Sequence, residues 1–287
     1  MRTSRTGGEE GGGGSPPPSS RSTSSFDIWR TLALLTGAVL VVVAGYLGFN
    51  RTDVPASGQA LQAPAGAPVD DRPDLDRLIG VYEDKTTTSR DPLDHRTMGR
   101  LYLARADLTG DISSFEMARQ AFSEARSLYS EDVEALSLEA RAAFSLHDFA
   151  DASTLIDQWI ELDPDSIDAI ALKGDVSLAV GDISAAEASY DDVVAVAPAH
   201  PAVQARLAQL AVAKGDMTAA LSRATIAEST ARETGFTGRP LAWYQSFLGQ
   251  LAFDTGDYGR SESMFSNALA NSPTSSHDQA GVGRARA

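Results

Sequence analysis

From Arg72 onward, apolar residues return at three- and four-residue steps, the mark of helices that bury one face. The runs are short and are cut at regular points by two kinds of punctuation. One is a Gly-Asp pair: Gly110-Asp111, Gly181-Asp182, Gly215-Asp216 and Gly256-Asp257, with His147-Asp148 in the same role. The other is a proline, at Pro164, Pro198 and Pro273. The first mark recurs at intervals of 37, 34, 34 and 41 residues. A period of this length predicts repeated helical hairpins, which bury their apolar faces only by stacking on one another.

Ile167 to His200 serves as one such unit. Gly174 and Ser177 are small positions where two helices can approach closely. Gly181 ends the first helix in the left-handed conformation, and Asp182 supplies a polar turn. Ile183 packs back over the hairpin, Ala186, Tyr190 and Val193 follow along the second helix, and Pro198 stops it. The same framework recurs in Val133 to Ser166 as Ala140, Asp148, Phe149, Ala152, Ile156, Trp159 and Pro164. In Ala242 to Thr274 it is Gly249, Gly256, Asp257, Tyr258, Phe265, Ala268 and Pro273. Pro201 to Glu233 keeps part of it, as Ala208, Gly215, Asp216, Met217 and Ala220.

The pattern is broken in three places. Leu101 to Tyr129 has extra residues between Asp111 and Ala118, which predicts a longer hairpin turn. Seven extra residues precede Leu241, including Gly235, Gly238 and Pro240, which predicts a loosened or reoriented last hairpin. A final helix begins near Ser276 and is expected to stop in GVGRARA. That is short for a cap, so the last face would be frayed or covered by another chain.

These residues resemble the tetratricopeptide repeat family. The small-Gly-Tyr-Ala-Phe-Ala-Pro pattern is matched at most positions in three units and partly in a fourth, over about Pro92 to Pro273. The resemblance implies an all-α, right-handed superhelical solenoid of about five hairpins, with the first helix of each pair lining a concave groove. By the family's offsets, the groove residues are Glu134, Arg141, Phe144, Asp168, Asp175, Leu178, Arg206, Gln209, Val212, Trp243, Gln250 and Phe253. Acidic, aromatic and aliphatic side chains together suit an extended or helical peptide carrying apolar and basic residues. Trp243 is the expected anchor, since aromatic residues dominate interface energetics; its alternative role is packing against the neighbouring hairpin. Trp159 sits on a second helix and reads as core. The Lys and Asn set with which part of the family grips acidic C-termini is absent at these positions, which argues against binding of chaperone tails.

The N-terminal quarter has a different character. Residues 1–28 are rich in Gly, Ser and Pro and lack the apolar area to offset chain entropy, so they read as disordered. Residues 29–49 read as a transmembrane helix. Within them Thr31–Phe49 is 19 residues without a charge, a reach of about 28 Å against a hydrocarbon core of about 30 Å. Trp29 and Arg30 at one end, and Tyr46, Phe49 and Arg51 at the other, are placed as interfacial anchors. Val42 and Ala44 would suit a signal-peptide cleavage site, but the run continues through Tyr46 and Leu47, which favours an uncleaved anchor. Residues 50–71 are Ala, Pro and Gly rich and read as a flexible tether reaching roughly 25 Å. The repeat domain then spans 72–287.

Charge refines the picture. Arg2, Arg5, Arg21 and Arg30 precede the span, whereas Arg51 and the more distant Arg72 follow it. The positive-inside rule puts the N-terminus in the cytoplasm and the repeats on the outer side of the cytoplasmic membrane. The chain as a whole has 24 basic against 39 acidic residues, which argues against a nucleic-acid surface. Glu131 to His200 holds 16 acidic side chains against Arg141 and Lys173. That stretch reads as a solvated face that keeps the array soluble, or as a docking face for a basic partner.

Chemistry finds little to use. There is no cysteine, so disulfides, thiolate metal sites and a cysteine nucleophile are excluded. His95, His147, His200 and His277 fall in different units without metal-ligand spacing. Nucleophile elbow, phosphate-binding and dinucleotide fingerprints are missing, so no catalytic, metal or cofactor site is expected. The sequence therefore reads as a membrane-tethered scaffold for protein or peptide clients at a bacterial envelope. Cytochrome c maturation or envelope complex assembly are the concrete forms, by analogy of fold. The alternatives are a self-associating structural protein, paired through its C-terminal face, and a cytoplasm-facing regulator.

Overall fold

The computed structural model describes residues 72–273 and 276–287. The disordered segment, membrane span and tether expected within residues 1–71 lie outside the described residues. Twelve α-helices and no strand occur among the described residues, and none of these helices is long and apolar enough to cross a membrane.

A leading helix, α1 (Arg72–Thr86), is followed by five hairpins. They are α2 (Pro92–Thr109) with α3 (Ile112–Leu128), α4 (Val133–Ser145) with α5 (Phe149–Leu162), and α6 (Ile167–Ala179) with α7 (Ile183–Val196). Next come α8 (Pro201–Ala213) with α9 (Met217–Glu233), and α10 (Gly238–Asp254) with α11 (Tyr258–Asn271). A last helix, α12 (Ser276–Arg286), packs on α11. Each helix packs on its sequence neighbours, and α4 also touches α6, as α6 touches α8. This is a linear stack in which each hairpin is stabilised chiefly by its neighbours.

The Gly-Asp pair is explained by its hydrogen bonds. At the end of α6, Gly181 takes φ 85° and donates its N–H to the Leu178 carbonyl at 3.1 Å. Asp182 donates its N–H to the Ser177 carbonyl at 2.8 Å, completing a Schellman motif. The same Asp182 is the N-cap of α7: its carboxylate accepts the Ala185 N–H at 3.0 Å. One residue thus satisfies an orphan carbonyl of the first helix and an orphan N–H of the second. Asp148, Asp216 and Asp257 repeat both roles. Where glycine is replaced, His147 still adopts φ 60°, the one non-glycine with positive φ among the described residues.

Packing fills the stack with small residues around a few large ones. Gly174 is required by close approach, because a Cβ there would lie 2.5 Å from Cε1 of Tyr190. Leu136, Phe144, Ile156, Trp159 and Leu172 form one buried cluster across α4, α5 and α6. Leu241, Tyr244, Phe247 and Leu248 form another with alanines of α8 and α9. Burying each such large side chain contributes roughly 1.5–3 kcal/mol.

All three expected irregularities are resolved differently. The first hairpin does not have a longer turn: only Gly110 and Asp111 separate α2 from α3. Its extra residues are helical, giving α3 17 residues where α5, α7 and α11 have 14. The insertion before Leu241 likewise lengthens α9 and α10 to 17 residues each. Gly235 (φ 88°) forms another Schellman turn, and Phe236 packs edge-on against Tyr244 with centroids 5.9 Å apart, so the last hairpin is not loosened. Finally, α12 begins at Ser276 and ends within GVGRARA as expected, but only at Arg286, so the last face is not left frayed. Gly281 lets it lie on the Phe265 ring, where a Cβ would come within 2.6 Å. The last hairpin is thereby covered by this chain's own helix.

Candidate partner-binding groove

The first helix of each hairpin carries the predicted groove residues, and the structure divides them into three groups. Phe144 is fully buried in the cluster with Leu136, Ile156, Trp159 and Leu172, so it is core and not a groove contact. Its ring lies over the turn into α5, 5.7 Å from Phe149, as expected for the last turn of a helix sealed by its partner.

Arg141, Asp175, Arg206 and Gln209 are also buried. For three of them the reason is an ion-pair ladder that ties successive hairpins together. Asp175 on α6 accepts from Arg206 on α8 through Nε at 2.9 and 3.2 Å and Nη2 at 2.9 Å. It also accepts the Tyr190 hydroxyl at 2.8 Å. Burial, with the neighbouring Asp175 charge, holds the Tyr190 phenol well above its ordinary pKa. Arg141 lies over the Trp159 ring at 5.4 Å and reaches Asp168, one hairpin on, at 3.5 Å. Between α2 and the start of α4, Arg96 forks onto Asp132 at 2.8 and 2.9 Å and reaches Glu134 at 3.1 Å, where Arg100 joins it.

The remaining seven are half-buried. Glu134 and Asp168 are the outer ends of the ladder just described. Leu178 and Val212 pack against the flanking core clusters. Trp243 stacks on Phe247, centroids 5.6 Å apart and 22° from parallel, and meets Tyr244 edge-on at 4.9 Å. Gln250 and Phe253 lie under α12: Arg284 donates to Gln250 at 3.2 Å and sits 5.5 Å from the Phe253 ring. The groove residues are thus brought onto one series of stacked helices, but the ladder uses most of their charge internally.

Sequence reasoning missed Arg96, Arg100 and Asp132. The available signal was a basic residue on one first helix followed, about one repeat later, by a carboxylate at the start of the next. It also missed a cavity of about 600 Å³ between the α1–α2 loop and α3, lined by Thr88, Arg90, His95, Met98, Tyr102 and Gln120 among others. None of the twelve groove residues lines it. Among the described residues no group of three or more His, Asp or Glu side chains is placed to hold a metal.

An all-helical stack of hairpins, joined in sequence order and carrying a ladder along its first helices, defines an α-solenoid. The tetratricopeptide repeat model matches residues 103–167 and 172–228, and over these residues the chain belongs to that family. No curated protein matches the sequence. Among solved structures, a tetratricopeptide repeat protein from Parabacteroides merdae is similar at a TM-score of 0.64 and 12% identity, covering 92% of this chain and 96% of its own. A thermophilic repeat protein of Thermus thermophilus is similar at 0.58 and 15% identity, covering 68% and 98%. PilW, described as a widely conserved type IV pilus biogenesis factor, is similar at 0.53 and 18% identity, covering 73% and 91%. At these identities the likeness is one of fold.

Proposed function

We propose that this protein is a scaffold that holds a protein or peptide partner along its stacked first helices, beside a membrane entered by Thr31–Phe49. The observation that carries the reading is the match of the hairpin array to a repeat family whose fold is built for protein–protein interaction. The half-buried Trp243 supports it, because a partly exposed aromatic on such a face is a typical interface anchor. On this reading the N-terminus is cytoplasmic and the array lies on the outer side of the cytoplasmic membrane. No observation favours an apocytochrome c over other clients. Self-association through a bare C-terminal face loses its premise, since α12 covers that face.

The test is capture of partners by the full-length protein from its native membrane after mild crosslinking, with Trp243→Ala alongside. One set of proteins bound by wild type and lost in Trp243→Ala is the expected outcome; recovery of an identical set by both would sink the groove reading. A reporter fused after Ala287 tests the topology, and activity confined to the cytoplasm would reverse it.

A further inference from the structure

A solenoid is quasi-one-dimensional: its contacts join neighbouring repeats. The inter-hairpin side-chain bonds of this array fit that rule, as with Arg96 and Asp132, 36 residues apart. One bond breaks it. Arg239 donates through Nη2 to the Asp107 carbonyl at 2.6 Å, across 132 residues. Arg239 stands in the first turn of α10 and Asp107 in the last turn of α2, so the bond joins the first helix of the first hairpin to that of the fifth.

Two independent features are fitted to this contact. The helices that meet are the longest first helices in the stack: α2 has 18 residues and α10 has 17, whereas α4, α6 and α8 have 13 each. The residues that lengthen the array before Leu241 are the ones that carry Arg239, between Gly235 at φ 88° and Gly238 at φ 60° and the body of α10. The acceptor is equally specific. The last turn of α2 has no basic residue of its own, so Arg239 supplies the cation that a helix C-terminus favours.

We propose that Arg239 and the C-terminus of α2 form a clasp that holds the two ends of the hairpin array together, and that releasing it admits a partner to the first helices. The second half rests on the groove reading; the first does not. The clasp stands four residues before Trp243 on the same helix, so a partner engaging that aromatic meets the clasp. An exposed, charge-assisted hydrogen bond of this kind shifts an open–closed equilibrium about tenfold.

The absence of cysteine makes the test direct. Ser123→Cys on α3 and Ser266→Cys on α11, both exposed, take spin labels in the full-length chain, and electron–electron dipolar spectroscopy reads their separation. Expected is one narrow distribution with Arg239 present. Arg239→Leu should add a longer, broader component, and Arg239→Lys, which keeps a charged donor, should restore the narrow one in part. Helical circular dichroism confirms that each variant is folded. Superimposable distributions for wild type and Arg239→Leu, or a broad distribution in wild type, would overturn the clasp. Because no partner is present, this outcome is independent of the capture experiment: the clasp can fail while the groove reading stands, and the reverse.

Discussion

The bond that couples the two halves of the array is the best place to test the structural argument. The side chains of Asp175 and Arg206 are 1% and 8% exposed, and their three nitrogen–oxygen contacts are between 2.9 and 3.2 Å. At an effective dielectric of about 20, two unit charges roughly 4 Å apart attract by about 4 kcal/mol. Desolvation offsets much of that in the pair, but removing one partner leaves the other buried and uncompensated, at about 3–5 kcal/mol. Asp175→Asn and Arg206→Met should each lose about that amount in urea unfolding. The double variant Asp175→Asn/Arg206→Met should lose much less than the sum, with a coupling of about 2–3 kcal/mol. Tyr190→Phe, which removes one hydrogen bond to a charged acceptor, should cost about 1.5–3 kcal/mol. The array offers its own probes, since Trp159 lies in the cluster before this bond and Trp243 in the cluster after it. In Asp175→Asn, single-tryptophan versions should report separated transitions, as expected when one interface of a repeat array is weakened. Single losses under about 1 kcal/mol, adding up in the double variant, would refute the reasoning.

Two further expectations follow from local geometry. His147→Gly removes a non-glycine residue from φ 60°, worth about 1 kcal/mol, and gives up the edge contact of its ring with Phe149 at 5.6 Å; the net is a gain of about 0.5 kcal/mol, read as a raised Tm, and a lowered Tm would show that the ring contact outweighs the strain. On the alkaline side, burial, followed by the Glu83 hydrogen bond, pushes the Tyr102 hydroxyl up to about 12. Burial also raises Tyr190 and Tyr244. A folded pKa above the unfolded value of about 10 means stability that is complete below pH 10 and lost as pH rises toward 12. Denaturant titrations from pH 9 to 12 should show that loss, with a shallower slope in Tyr102→Phe; an unchanged slope would remove Tyr102 from the account.

The fold was readable because its determinants are local and repeated. Gly181 and Asp182 lie next to each other in the chain, and each does its work through hydrogen bonds to residues within a few positions. Gly174 against Tyr190, and the prolines two residues beyond α5, α7 and α11, act within one hairpin. What misled was treating departures from the period as loop. Inserted residues can go into a turn or into a helix; Asp111 to Ala118 ends in the helix formers Glu116, Met117 and Ala118, and Thr230 to Leu241 carries a Schellman turn at Gly235, so both lengthened helices. The GVGRARA stretch misled for a related reason. Two glycines weaken an isolated helix, but Gly281 is what allows this one to lie on Phe265, and tertiary contact outweighs propensity.

The groove was less readable, because a position on a first helix does not say which way its neighbours complete it. Arg206 and Asp175, 31 residues apart, look in sequence like two groove charges offered to a ligand; in space they are one buried ion pair. Arg141 with Asp168, and Arg96 with Asp132 and Glu134, are likewise paired across successive hairpins, although Asp168 and Glu134 stay half-buried. In a stack with a period of about 34 residues, opposite charges one period apart on equivalent helices face each other first and a ligand second. On the groove reading, the surface left to a partner is what the ladder does not use, the half-buried apolar side chains of Leu178, Val212, Trp243 and Phe253. Partner selection on that reading should then depend on aromatic and aliphatic contacts, while the charges tie successive hairpins together.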